Sequence, residues 1–229
     1  MKIFKLIFTL ITAIVISFSL SVKAEKTIYA THDSTSGSYV DYMKTVYARA
    51  GKPEIMMLSL TSFDKEFNLN GLAAESWSQS DDGLTWTFNL RDNLLWSDGE
   101  TLKASDYIFA LKRAATTGYD FGWYWSFAGG LKNWGPVTDG SMDVDQLGIK
   151  AVDDKTIEVT TETVKPYLPS VVSLWYPVPE HAWKKHGDEY AANVDTMVAS
   201  GPFMLKSWEK STNKMVLVKN PNYNAPWPS

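Results

Sequence analysis

The chain has 229 residues, 45% of them hydrophobic, no cysteine and a formal net charge of −4. That is enough apolar material for a real core, while the missing Cys excludes a disulfide framework and a lipid-modified amino terminus. The acidic balance argues against nucleic acid as a partner, since such binding rests on clustered Lys and Arg at phosphates.

Lys2 and Lys5 precede an apolar run over residues 6–20, which closes on Ser21, Val22, Lys23 and Ala24. The run is shorter than the roughly 20 residues that span a bilayer, and polar sequence follows. Residues 1–24 therefore read as a secretory signal peptide cleaved after Ala24, which directs the mature chain, residues 25–229, to the periplasm. Loss of Lys2, Lys5 and Lys23 leaves 19 basic residues against 26 acidic ones, net −7, a balance that suits a soluble, freely diffusing protein.

Residues 27–30 read as a short first strand, followed by a polar loop that contains His32, Asp33 and Ser34. Residues 39–50 have helical spacing, with Val40, Met43, Val46 and Tyr47 on one side. The clearest strand is 84–90: Leu84, Trp86, Phe88 and Leu90 share one face, and the Asp82-Gly83 turn precedes it. A short apolar piece at 94–96 ends in the turn Ser97-Asp98-Gly99-Glu100. Residues 106–115 then read as a helix, with Tyr107, Leu111 and Ala114 in line. Residues 155–161 alternate through Ile157 and Val159 as a half-buried strand. Pro166 opens a helix over 167–174. A further helix over 179–186 stops at Gly187 with Lys184, Lys185 and His186 in its last turn. Residues 215–219 form a last strand, closed by Asn220-Pro221-Asn222. Helices and strands mix without regular βαβ spacing, so the fold class is mixed α/β.

Several of these pieces also carry a resemblance. Leu72-Ala73-Ala74-Glu75-Ser76-Trp77 is followed by the run from Ser80 through Asp82-Gly83 and Trp86-Thr87-Phe88 to Arg91, and then by Trp96-Ser97-Asp98-Gly99-Glu100-Thr101-Leu102 and Asp106-Tyr107. Further on stand Leu147-Gly148-Ile149, Tyr176-Pro177-Val178-Pro179, Ser200-Gly201-Pro202-Phe203 and Asn220-Pro221-Asn222-Tyr223. In this order the series resembles the extracellular solute-binding family that serves peptide- and nickel-type ABC importers. The residues themselves are structural: Asp-Gly pairs make turns, Trp86 and Phe88 make an inward face, and Gly201-Pro202 fixes a bend.

The resemblance implies an α/β architecture of mixed sheets with flanking helices, a type II periplasmic-binding-protein-like fold with two lobes around a cleft. It implies a small solute, most naturally a peptide, and an inner-membrane ABC permease as partners of a monomeric receptor. Members are usually much longer, so residues 25–229 are expected to be the amino-terminal part of a solute-binding domain. The second ligand lobe and the return of the chain to the first would be absent. At position 103, Lys stands where many members place a capping Thr, a loss of about 1 kcal/mol unless Ser105 substitutes.

Candidate ligand contacts are the aromatic and small residues of the Phe121–Gly130 stretch, chiefly Tyr124, Trp125 and Ser126. By resemblance this stretch falls where a family loop reaches the cleft with a Tyr, and its glycines allow close backbone approach; packing as an aromatic minicore is the alternative. His32, Asp33 and Ser34 after the first strand could meet a polar solute, or form a plain solvated loop. Trp175 and Tyr176 line the cleft or simply pack. His181 and His186 lie on different helical faces and His32 stands alone, so no metal or other cofactor is expected. No nucleophile elbow, phosphate loop or His-Glu-x-x-His motif appears, and the pairs Asp81-Asp82 and Asp153-Asp154 fall in turns, so no catalytic residue is assigned. Two further readings stay open: a secreted carbohydrate-active enzyme or carbohydrate-binding module, favoured by ten Trp, and a non-functional fragment.

Overall fold

The computed structural model describes residues 28–30, 37, 39–48, 50, 53–212 and 214–227. Residues 1–24, read above as a signal peptide, and His32, Asp33 and Ser34 lie outside the described residues.

In chain order the elements are strand β1 (Ile28–Ala30), the single-turn helix α1 (Pro53–Met56), strands β2 (Thr61–Phe63), β3 (Leu69–Gly71), β4 (Ala74–Gln79) and β5 (Thr85–Leu90), and helix α2 (Ala104–Thr116). A π-helical turn (Tyr124–Gly129), α3 (Trp134–Thr138), β6 (Ile149–Ala151) and β7 (Thr156–Thr160) come next. Helices α4 (Leu168–Val171) and α5 (Glu180–His186) precede β8 (Phe203–Glu209) and β9 (Lys214–Lys219). The strands form three open antiparallel sheets, ordered β1-β9-β8, β2-β3 and β4-β5-β7-β6.

Strand β5 is central because both its edges are paired, Phe88 opposite Trp77 on one side and Ile157 on the other. Its alternation is the reason it forms: Trp86, Phe88 and Leu90 are buried, and the residues between them are half-buried. Helix α2 closes over this sheet with Tyr107, Leu111 and Ala114 inward, as the spacing predicts. A side chain of this kind contributes about 1.5–3 kcal/mol when fully buried. At the amino end of α2, Ser105 makes no cap. The Asp106 carboxylate instead accepts the Lys103 N–H at 2.9 Å, and the Lys103 ammonium turns away to Asp154.

The motif residues meet at one junction. Trp96 donates its indole N–H to the Asp106 carboxylate, which also accepts from the Glu180 N–H. Ser200 and Gly201 donate their amides to the Met56 carbonyl, and the Ser200 hydroxyl accepts the Leu58 N–H. The Asn220 side chain donates to the Gly201 carbonyl, and that of Asn222 to the carbonyls of Trp96 and Ser97. Gly201 has no alternative: a Cβ there would stand 2.6–2.9 Å from the backbone of residues 55–57. Segments far apart in sequence are thus cross-bonded through backbone groups.

Residues 39–50 are not a helix, contrary to their spacing. Their amides are taken elsewhere: Asp41 Oδ1 accepts the Met43 N–H, and the Asp120 carboxylate accepts the amides of Val46 and Tyr47 and the Thr45 hydroxyl. Val40, Met43 and Val46 are buried all the same, while Tyr47 faces outward. The 167–174 helix is α4 followed by a 3-10 turn (Val172–Leu174), and α5 does stop at Gly187.

Candidate functional site

The fold gathers the candidate rings from three separated segments. Asp120, which pins residues 45–47, sets the start of the stretch that leads into the π-turn. Phe121 stacks on Tyr124 at 4.9 Å between ring centroids and meets Tyr42, Tyr47 and Trp123 edge-on. Tyr124 stands edge-on to Trp125, Trp125 to Trp175, and Tyr176 to Tyr42 at 4.9 Å. Pairs in such geometry are worth about 0.5–1.5 kcal/mol beyond their burial. The result is one continuous aromatic shelf built from residues 42–47, 121–125 and 175–176.

Depth separates its members. Trp125, Trp175 and Tyr176 are buried and back the shelf, whereas Trp123, Ser126 and Phe127 face solvent and Tyr124 is half-buried. Tyr124 donates its hydroxyl to the Val171 carbonyl at 2.9 Å, and burial, with Tyr42 adding to it, pushes the phenol up to about 12. It stays a neutral donor at any physiological pH. The Trp175 indole donates to the Tyr107 carbonyl, which ties the shelf to α2. The Trp123 indole donates to the Tyr47 hydroxyl, holding one exposed ring upright against another.

The sequence reading singled out Tyr124, Trp125, Ser126, Trp175 and Tyr176 but missed Tyr42 and Asp120. Tyr42 sits off the supposed helical face, and Asp120 acts on amides far away in sequence. At the edge of the shelf, Gly130 adopts a left-handed φ of 57° and Lys165 packs over it, its ammonium donating to the Phe127 carbonyl and the Tyr167 hydroxyl.

Among the described residues no group of three or more His, Asp or Glu could hold a metal ion. His181 is engaged with Asp98 at 2.7 Å. Asp82 and Asp153 are turn carboxylates, held below the ordinary range mainly by hydrogen bonds from Ser80 and from the Lys155 amide, respectively.

Comparison with known proteins places this shelf in context. Residues 68–228 match the family described as bacterial extracellular solute-binding proteins, family 5 Middle. The dipeptide-binding protein of Lactococcus lactis subsp. cremoris is 34% identical over 171 residues, 72% of this chain and 30% of the relative. The probable deoxycholate-binding periplasmic protein YgiS of Escherichia coli is 36% identical over 169 residues, 72% of this chain and 31% of the relative. Among solved structures, the substrate-binding domain of an oligopeptide ABC transporter from Bacillus anthracis superposes with a TM-score of 0.74 at 32% identity, covering 84% of this chain and 38% of that one. OppA of Listeria monocytogenes bound to peptide gives 0.71 at 30%, covering 82% and 37%. The chain thus spans about a third of the length of these relatives, and its fold is that of their periplasmic-binding-protein class.

Proposed function

Because the chain belongs to the bacterial extracellular solute-binding proteins of family 5, we propose that it is part of a periplasmic receptor that captures a peptide and passes it to an inner-membrane ABC permease. The observation that carries this reading is the aromatic shelf, an apolar wall with a neutral phenol and exposed indole at its edge. Such a surface suits the side chains of a peptide whose backbone is bonded elsewhere. Relatives named for dipeptides and oligopeptides support that ligand class.

In this reading Tyr124 and Ser126 touch the solute, and Trp125, Trp175 and Tyr176 hold the wall rigid behind them. His32, Asp33 and Ser34, which follow residues 28–30 in the sequence, supply polar contacts. The receptor is a monomer that binds and releases without bond-making chemistry. The basic residues and apolar run of the leader support export through a cleaved signal.

Thermal denaturation of the chain against a panel of di- to pentapeptides tests the proposal, with tryptophan fluorescence as second readout. A peptide present at 100 times its Kd adds about 2.7 kcal/mol to stability, and Trp123→Ala should weaken its effect. Deoxycholate belongs in the panel because one relative is named for it. If deoxycholate raises the Tm and no peptide does, the peptide assignment is wrong. Retention of the protein in the cytoplasmic fraction would end the receptor reading itself.

A further inference from the structure

Where α2 ends and α3 begins, beside the π-turn, lies a depression of about 300 Å³ that shares Trp123 and Ser126 with the edge of the shelf. The last turn of α2, at Ala114 and Ala115, forms part of its floor with Gly122, and the rings of Trp123 and Trp134 wall it. Ser126 brings a hydroxyl to its rim, and so does Thr138, whose hydroxyl donates to the Gly135 carbonyl and keeps only its acceptor side for a guest.

The Trp134 indole opens on this depression. The ring as a whole is only 4% exposed, but its Nε1–H makes no hydrogen bond among the described residues and is not one of the buried atoms left without a partner, so it faces the solvent that fills the depression. Trp86, Trp96 and Trp175, buried to a similar degree, all donate to an oxygen.

Glycines keep the space in front of that donor open. A Cβ on Gly122 would stand 3.6 Å from the Trp134 ring and 3.8 Å from its Nε1. A Cβ on Gly135 would meet nothing within 4 Å. Neither residue adopts the left-handed conformation that demands glycine, so their small size leaves room rather than permitting a turn.

None of the lining residues is charged. A zwitterion or an anion would find no partner for its charge here, and a purely apolar guest would leave the indole N–H unmatched. An exposed indole plate, one aimed N–H donor and rim hydroxyls together match a ring with an apolar face and hydroxyl edges. We infer that this depression is a binding subsite for a neutral sugar ring of pyranose size, stacked on Trp123 with a hydroxyl accepting from Trp134 Nε1. This assignment does not rest on the peptide reading and would stand if every peptide failed.

The test is titration of the 15N-labelled full chain with methyl β-D-glucopyranoside, followed at the Trp134 indole resonance, which is assigned by its loss in Trp134→Phe. That resonance should move saturably, and Gly122→Val should weaken binding by about tenfold or more, equivalent to about 1.4 kcal/mol, with Tm unchanged. If Gly122→Val lowers the Tm, Trp134→Phe decides, because it keeps a ring and removes only the donor; binding followed by tryptophan fluorescence must then weaken. A Trp134 resonance that stays still at saturating sugar, or undiminished affinity in the folded variants, overturns the inference. Movement with N-acetyl-tyrosinamide but not with the glucoside overturns the sugar assignment.

Discussion

Trp96 and Trp134 are both almost fully buried, but they sit in regions that treat an indole differently. At the motif junction Trp96 donates to Asp106, and elsewhere in the core Trp175 donates to the Tyr107 carbonyl and Trp86 to the Lys165 carbonyl. Beside the π-turn, the Trp125 N–H is buried with no acceptor among the described residues, and the Trp134 N–H, also without one, opens on the depression instead. The glycines divide in the same way. Gly201 is pressed against the backbone of residues 55–57, whereas Gly135 has open space where its side chain would be. The first region is closed on itself through mutual bonds. The second keeps donors and room for something that arrives from outside.

Stability measurements on single variants would break or sharpen that contrast. The largest expected effect is at the buried ion pair that anchors residues 39–48 to α2, Arg113 to Asp41 at 2.6 Å with Asp41 2% exposed. Arg113→Ala strands that carboxylate and should cost about 3–5 kcal/mol in urea denaturation. A loss below about 1 kcal/mol would show that residues 39–48 are not held to α2 through this pair.

Next comes the pair of indoles. Trp96→Phe and Trp134→Phe remove similar ring volume, but only the first removes a bond to a carboxylate. Trp96→Phe should therefore cost about 1.5–3 kcal/mol more than its counterpart, and equal losses would erase the distinction.

The glycines predict a difference of similar direction. Gly201→Ala overpacks backbone against backbone and should cost about 1–3 kcal/mol. Gly135→Ala, in α3, should be neutral or stabilise by about 0.4–1 kcal/mol. A Tm that falls equally in both would contradict the open space at Gly135.

The smallest effect concerns pH. Burial holds the Asp106 carboxyl above its ordinary value of 3.8, opposed by donors from Lys103, Glu180 and Trp96. A carboxyl raised in the folded chain binds its proton more tightly there than in the unfolded chain. Its contribution is therefore greatest below 3.8 and is lost as pH rises through the folded value. Compared with Asp106→Asn, the unmodified chain should gain relative stability as pH falls from about 6 to about 4. The opposite slope would mean that the hydrogen bonds outweigh burial.

The legible parts of this molecule were those whose cause is local. Strand β5, helix α2 and the stop at Gly187 follow from alternation, helical spacing and a helix-ending glycine within a few residues. Residues 39–50 misled because their apolar spacing is real, while the acceptors of their amides include Asp120, 74 residues from Val46. Strands β2, β3 and β8 are short or weakly alternating, and they exist because partners elsewhere in the chain hold them. The candidate rings at 124–125 and 175–176 could be named one segment at a time. Their meeting through Tyr42 and Phe121 is a property of the tertiary fold. Trp134 gave no signal at all, since an unmatched N–H becomes visible only when every other bond is known.

Strand β1 has a consequence for how the protein is made. Among the described residues it pairs with Met215, Val216 and Leu217 of β9, so the three-stranded sheet joins opposite ends of the described chain. Closing a loop of that length carries an entropy cost that grows with the logarithm of its size, and such non-local pairing is slow. On the ribosome β1 cannot form this pairing until β9 has emerged. Until then it is left as an unpaired thread, the form in which a polypeptide passes through a narrow translocation channel.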